Sequence, residues 1–492
     1  MIGSTFVHLF EWSWVDIARE CTEFLGPKGY AAVQISPPME HISGEQWWTR
    51  YQPVSYKLES RSGTAAEFAT MVATCDAAGV AIYADAVLNH GAAGSGVGIN
   101  GTAYGNPPRT IHNLYSQPDY HHVGSDLTKN CAVSNYDDKH NVQYCDLVGL
   151  PDLCTSCDYV RKTTAAYVDH MASLGVKGIR LDAAKHMDAG ELAGLLAEVQ
   201  SFKSLFTFQE VISGSGEAVT PSMYYGTGSV TEFKYGTSLG TNFVEDGKVR
   251  KRIPLYMCTQ CRTHTSPPPP SLSLSLSRQL QFLANFGESW GFMPSANAVV
   301  FTDNHDTQRG GATITYKDND LYTLANIFML AHPYGYPKVM SSYYFSSHDQ
   351  GPPGVPVHGS GSTLNCNDGT NWVCEHRRGA IANMVAFRRA AGDAPVTNFT
   401  APGPDTISFG RGVKAWIWLN RSPTAWSPSG VSVATTLPPG RYCNVVAGGS
   451  TDPSTCPAIV VVGADGSVTT RPFAVEPHSA VALHVASHSA TT

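Results

Sequence analysis

Eight short runs of β-branched and aromatic residues, each followed by a stretch of helical pattern, fill the first 342 residues, and this alternation constrains the fold most. The runs are Phe6 to Phe10, Ala31 to Ser36, Ala81 to Val87, Gly178 to Ala184, Leu205 to Ile212, Val230 to Tyr235, Ala298 to Asp303 and Lys338 to Ser342. Strands separated by helices pair in parallel. Eight such units predict an α/β fold, a closed (β/α)8 TIM barrel. Several runs end in polar side chains: Asn89 with His90, Asp182, Glu210 and Asp306. Strand interiors of a parallel barrel are apolar, and its chemistry sits at the C-terminal strand ends, so these groups are expected on one face.

Residues 91–152, between the third and fourth strands, are rich in Gly, Asn, Asp and Tyr. A structureless loop of that length is uncommon, which predicts a small inserted domain beside the strand ends. Past residue 390 short strands alternate with turns: Val413 to Leu419, Val431 to Thr436, Ala458 to Val462 and Ala480 to Val485. This pattern predicts a C-terminal antiparallel β-sandwich domain over 391–492, leaving 1–90 and 153–390 to the barrel. Residues 249–279 fit none of these units. They hold Cys258 and Cys261, four prolines at 267 to 270 and the alternating Ser271-Leu-Ser-Leu-Ser-Leu-Ser277 before Gln279. Such a stretch reads as a pyrimidine tract and splice acceptor translated in frame, so a retained intron is expected. A disordered surface linker is the alternative.

The 33 basic residues against 40 acidic ones give a net charge of -7, which disfavours a nucleic-acid partner. No apolar run reaches the ~18 residues of a membrane span, and the start of the chain lacks the basic-then-apolar pattern of a signal peptide. Ten of the twelve cysteines pair by proximity: Cys131 with Cys145, Cys154 with Cys157, Cys366 with Cys374, Cys443 with Cys456, and Cys21 with the more distant Cys75. Disulfides and a secreted protein are the reading; free buried thiols, or a redox or zinc role for Cys154-Thr-Ser-Cys157, are the alternatives.

In Gly178-Ile-Arg-Leu-Asp-Ala-Ala-Lys-His186 the arginine stands two residues before Asp182, on the same face of a strand. A guanidinium there keeps the carboxylate ionised and aimed, as a nucleophile requires. Glu210 ends the next strand. Neighbouring strands lie about 5 Å apart, near the carboxyl separation of about 5 to 5.5 Å in retaining glycosidases. Glu210 is then expected to act as the general acid/base.

Asp85-Ala-Val-Leu-Asn-His90, Gly178 to His186, Glu210-Val-Ile and Phe301-Thr-Asp-Asn-His-Asp306 together resemble, in order, the four signature blocks of the α-amylase family of glycoside hydrolases. Trp47-Trp-Thr-Arg-Tyr-Gln-Pro-Val-Ser-Tyr-Lys57, Met340-Ser-Ser-Tyr343 and Trp372-Val-Cys-Glu-His-Arg377 are similar to its animal-type branch. The resemblance implies endo-hydrolysis of α-1,4-glucans in starch and glycogen by a monomer, with the anomeric configuration retained. It makes Asp182 the nucleophile, Glu210 the acid/base and Asp306 the third carboxylate. Trp47, Trp48, Tyr51, Gln52, His90, Lys185 and His305 would bind sugar. A Ca2+ ion is implied at Asn89 and Asp152 and at the backbone carbonyls of Gln143 and His186, all hard oxygen ligands. A Cl- ion is implied at Arg180, Asn304 and Lys338, the lysine offering one compact donor where an arginine would offer a fork. Residues 307–312, Thr-Gln-Arg-Gly-Gly-Ala, are shorter than the glycine-rich lid of mammalian relatives, and Arg378 stands where they carry tryptophan. A transglycosylating relative and a non-catalytic binding relative are the alternative functions.

Overall fold

A computed structural model of the protein describes residues 4–244, 279–428, 433–447, 452 and 454–489. Of the odd segment 249–279 only Gln279 falls among them.

The eight expected strands form a closed parallel barrel: β1 Phe6–Leu9, β2 Ala32–Ile35, β3 Ala81–Ala86, β4 Gly178–Leu181, β5 Phe206–Gln209, β6 Ser229–Thr231, β7 Ala298–Val300 and β8 Tyr336–Ser341. β1 closes the ring by pairing with both β2 and β8, Phe6 lying opposite Ala32 and Lys338. Side chains alternate along each strand, so inward residues stack in layers two positions apart. The lower layer is an aromatic plug in which the Phe6 ring lies 5.4 Å from Tyr83 and 5.5 Å from Phe208, with Tyr336 at 4.8 Å. Two residues along the same strands come His8, Asp85 and Lys338, all buried. The barrel is thus sealed by hydrocarbon below and polar above.

One run departs from expectation. Val230 to Tyr235 reads as a strand, but β6 stops at Thr231 and a helix covers Phe233–Phe243. Glu232 makes the switch by accepting the Lys234 N–H at 3.0 Å as an N-cap.

Residues 91–152 carry a two-stranded hairpin, Gly96–Val97 with Ala103–Tyr104, and a helix Lys139–Tyr144. Beyond the last barrel helix, Gly379–Ala391, the chain forms two antiparallel sheets. One is ordered β9 Val396–Gly403, β10 Thr406–Arg411, β11 Ala415–Asn420 and β14 Ser479–His484. The other holds β12 Gly440–Cys443 between β13 Ile459–Val462 and β15 His488–Ser489. Trp416, Trp418, Tyr442, Val460 and Leu483 fill the space between them. β9 and β10 escape a reading by strand propensity because Pro402, Gly403 and Gly410 interrupt it; a proline is tolerated in β9 because that strand lies at the sheet edge. Residues 431 and 432 of the expected strand Val431 to Thr436 lie outside the described residues, and Ala434 makes only an isolated bridge to Ser467.

All five expected cysteine pairs are disulfides, with Cα atoms 4.8 to 5.7 Å apart. Cys21–Cys75 ties the first barrel helix, Trp14–Glu20, to the helix Ala65–Ala77. Cys258 and Cys261 lie outside the described residues. Among the described residues no helix is long and apolar enough to cross a membrane.

Two paired turns of the C-terminal domain, Pro404 with Asp405 after β9 and Arg421 after β11, hold both flanks of 245–278. Arg421 donates to the Asn242 carbonyl at 2.5 Å and pairs with Asp405, while the Leu280 N–H donates to the Pro404 carbonyl at 2.8 Å.

Candidate active site

Strand register assembles the site. Asp85 on β3 lies opposite Arg180 on β4, Asp182 follows Arg180 by one alternation, and Glu210 follows Gln209, which lies opposite Leu181. The Arg180 guanidinium becomes a hub: Nη1 donates to Asp85 Oδ1 at 2.6 Å and to Asp182 Oδ1 at 2.9 Å, and Nη2 lies 3.1 Å from Glu210 Oε2. Ala183 adopts a left-handed φ of 47°, a conformation costing a non-glycine residue about 1 kcal/mol. It turns the Ala183 N–H onto Glu210 Oε2 at 3.1 Å.

Burial pushes Asp182 well above the usual carboxylate range, with Glu210 and Asp85 adding to the rise and Arg180 opposing it. Asp306 is pushed up to about 6, by burial first and then by the charge of Glu210. Crowding these carboxyls around one guanidinium thus raises the proton affinity of Asp182 and Asp306, while Arg180 counters the rise at both.

Aromatic groups wall the site. Tyr51 donates its hydroxyl to Asp85 Oδ2 at 3.0 Å, and its ring stacks on His305 at 5.3 Å and 8°. The Trp47 ring stands edge-on to His305, with Nε1 donating to the His348 carbonyl at 2.9 Å. Trp47 is buried and Trp48 half-buried. His305 is held neutral, mainly by burial and then by the charge of Arg180, and its Nε2 lies 3.7 Å from Asp306 Oδ2. His90 Nε2 lies 2.9 Å from the Tyr51 carbonyl, tying the end of β3 to this wall. Gln52 is turned toward the inserted segment, its Oε1 accepting the Ala93 N–H at 3.1 Å. Lys185 Nζ lies 2.5 Å from Glu217 Oε2 and 4.4 Å from the centre of the Tyr136 ring.

Asp85, Glu217 and Arg309 were not singled out from the sequence. Asp85 carried a signal, as a charge inside an otherwise apolar strand. Glu217 sits in a Ser-Gly loop without a pattern. Arg309 shows its place only in three dimensions: its guanidinium lies 4.4 to 5.3 Å from the ring centres of Phe10, Trp47, Tyr343 and Phe345, and donates to the His305 carbonyl at 2.5 Å and the Tyr343 hydroxyl at 2.8 Å. Three separate loops converge on it.

The residues implied for calcium lie in two groups along the join of the inserted segment and the barrel. The Leu153 N–H donates to the Asn89 carbonyl at 2.9 Å, and His90 bridges to Asp152. His186 Nδ1 lies 2.9 Å from the Val142 carbonyl, beside Gln143. Among the described residues no group of three or more His, Cys, Asp or Glu side chains is placed to hold a metal. The implied set has one carboxylate; its other oxygens are amide and carbonyl. Three observations fit a hard cation. Asn89 Oδ1 is buried without a hydrogen-bond donor. Gln143 lies in the last turn of its helix, where carbonyls lack intrahelical donors. The Asp152 carboxyl is buried enough to be pushed up to about 7.

The residues implied for chloride lie inside the barrel. Lys338 Nζ donates to Gln34 Oε1 at 3.2 Å and faces the Phe301 ring at 4.9 Å. Burial, and then repulsion by Arg180, lower its pKa to about 7. Asn304 Oδ1 accepts the Thr307 N–H at 2.7 Å, which leaves its amide N–H groups as donors. Two cations near enough to repel in the polar layer of the barrel fit an anion.

Residues 29–213 match the family described as "Alpha amylase, catalytic domain", and residues 396–486 match "Alpha amylase, C-terminal all-beta domain". An α-amylase of Streptomyces violaceus is 43% identical over 97% of this chain and 73% of its own length. The pancreatic α-amylase of Sus scrofa is 41% identical over 94% of this chain and 91% of its own. The crystal structure of α-amylase I from Eisenia fetida superposes with a TM-score of 0.83 at 35% identity, covering 98% of this chain and 97% of that one. A variant of that earthworm enzyme has been solved as a maltohexaose complex and superposes with a TM-score of 0.82.

Proposed function

The chain belongs to the α-amylase family of glycoside hydrolases, and from that premise we propose how its own residues hydrolyse α-1,4-glucans with retention. Asp182 attacks the anomeric carbon, and Glu210 delivers its proton to the departing glycosidic oxygen. Glu210 then takes a proton from the water that releases the glycosyl ester. Arg180 carries the argument, since one guanidinium contacts Asp85, Asp182 and Glu210 and so orients nucleophile and acid together. Asp306 would hydrogen-bond hydroxyls of the distorted sugar, an interaction that strengthens toward the transition state. Tyr51, His305 and the Trp47–Trp48 pair form the wall against which that sugar lies. NMR of the first product released from starch should show the α-anomer; a β-anomer would exclude the covalent route.

Asn89, Asp152 and the carbonyls of Gln143 and His186 would hold Ca2+, which supplies positive charge and fixes the inserted segment on the barrel. Arg180, Asn304 and Lys338 would hold Cl-. Because Lys338 titrates near 7, a site that needs its ammonium loses chloride affinity as pH rises: the chloride activation constant should increase about tenfold per pH unit above that value. Lys338→Arg should flatten the pH dependence, because a guanidinium does not titrate there, and Lys338→Gln should abolish the chloride response. Equal rates in chloride and in a large inert anion would show that no anion acts there. The five disulfides support a secreted protein, which we take to be monomeric.

We read 249–279 as dispensable. Asn242 is fastened to Arg421 and Leu280 to Pro404, and Arg421 pairs with Asp405 between them, so the flanks are held without it. A variant lacking 249–279 should match the full chain in starch hydrolysis and in Tm. Loss of either would make the segment a working part of the enzyme.

A further inference from the structure

Three Asn-X-Ser/Thr sequences occur in this chain, Asn100-Gly-Thr102, Asn398-Phe-Thr400 and Asn420-Arg-Ser422, and the fold separates them. Asn420 is fully buried, and its Nδ2 donates to the carbonyls of Thr424, Val475 and Glu476 at 2.9, 3.1 and 3.2 Å. A sugar on that nitrogen would break the fold. Asn100 is exposed in a turn clasped by Glu40, whose carboxylate accepts the Asn100 N–H at 3.0 Å and the Thr102 hydroxyl at 2.6 Å.

Asn398 differs from both. It lies in β9, the edge strand of the four-stranded sheet, where the pairing with β10 shifts register between Thr397 and Thr400. At that irregularity Phe399 turns inward and stacks on Phe409, with ring centres 6.0 Å apart at 11°. Asn398 is exposed, with a left-handed φ of 50°. Among the described residues β9 pairs with β10 and has no strand on its other side, and such an edge is a template for another sheet edge.

We propose that Asn398 is an N-glycosylation site whose glycan covers the open edge of this sheet. The proposal rests on the reading that the chain is secreted, because the donor is a lipid-linked oligosaccharide diphosphate of the secretory compartment. Asn398 Nδ2 forms the new bond to the first sugar's anomeric carbon, the lipid diphosphate leaves, and one amide proton is released.

A plainer reason for an asparagine here is its tolerance of left-handed backbone. Two substitutions distinguish the reasons. Asn398→Gly keeps the backbone accessible but removes the acceptor. Thr400→Val keeps the asparagine but destroys the acceptor sequence. The full chain should be secreted from a eukaryotic cell behind a leader, and the peptide carrying residue 398 analysed by mass spectrometry before and after peptide-N-glycosidase treatment. One glycan at Asn398 is expected in the parent and none there in either variant, with Tm unchanged in Asn398→Gly. Enzymatic deglycosylation should raise self-association in sedimentation. An unmodified Asn398 in exported, disulfide-bonded protein would overturn the proposal while leaving secretion intact. Retention inside the cell with reduced cysteines would overturn both. Unchanged self-association after deglycosylation would overturn the covering role.

Discussion

Replacing Asp182 by asparagine should lower kcat on starch by about four orders of magnitude or more and leave the fold in place. Asparagine keeps an oxygen that can accept from Arg180 but cannot form the glycosyl ester. The substitution also deletes a charge that burial and the neighbouring Asp85 and Glu210 disfavour, so Tm should hold or rise. Steady-state rates on soluble starch and a thermal melt of the same preparation test both halves. A residual rate within tenfold of the parent would remove Asp182 from the nucleophile's role.

Stripping calcium should be the largest perturbation of stability. An ion held at a thousand times its Kd adds about 4 kcal/mol to the folded state. Its loss here would leave Asn89 Oδ1 buried without a donor and the buried Asp152 carboxylate with His121 Nδ1, at 2.6 Å, as its side-chain partner. Excess chelator should therefore lower Tm by several degrees and activity with it, and returned calcium should restore both. Asn89→Ala should reproduce part of the loss. An unchanged melt in protein shown by elemental analysis to be free of calcium would mean that the site binds none.

The barrel was legible because buried parallel strands leave dense β-branched runs, and because Asp182, Glu210 and Asp306 interrupt such runs where apolar residues would otherwise stand. The disulfides were legible from spacing. What stayed hidden depended on contacts between remote loops. Arg309 gathers rings from residues 10, 47, 343 and 345, which no local pattern connects. Gln52 stands in an aromatic block that points to sugar binding, yet its side chain reaches back to Ala93. β9 and β10 were obscured by proline and glycine, which an edge strand and a crowded hairpin tolerate. Glu217 needed Lys185 beside it to show a purpose.

The ring of eight strands also dictates when this protein first becomes competent during synthesis. Phe6 must pair with Lys338, so the first strand waits for a partner made more than 300 residues later. Until then the growing sheet has two raw edges, and loop-closure entropy opposes the final pairing. Arg180 meets Asp85 and Glu210 on neighbouring strands early, whereas His305 and Asp306 arrive near the end. A ribosome paused before residue 298 would therefore carry the nucleophile and the acid without the third carboxylate. Chaperone demand should peak in that interval.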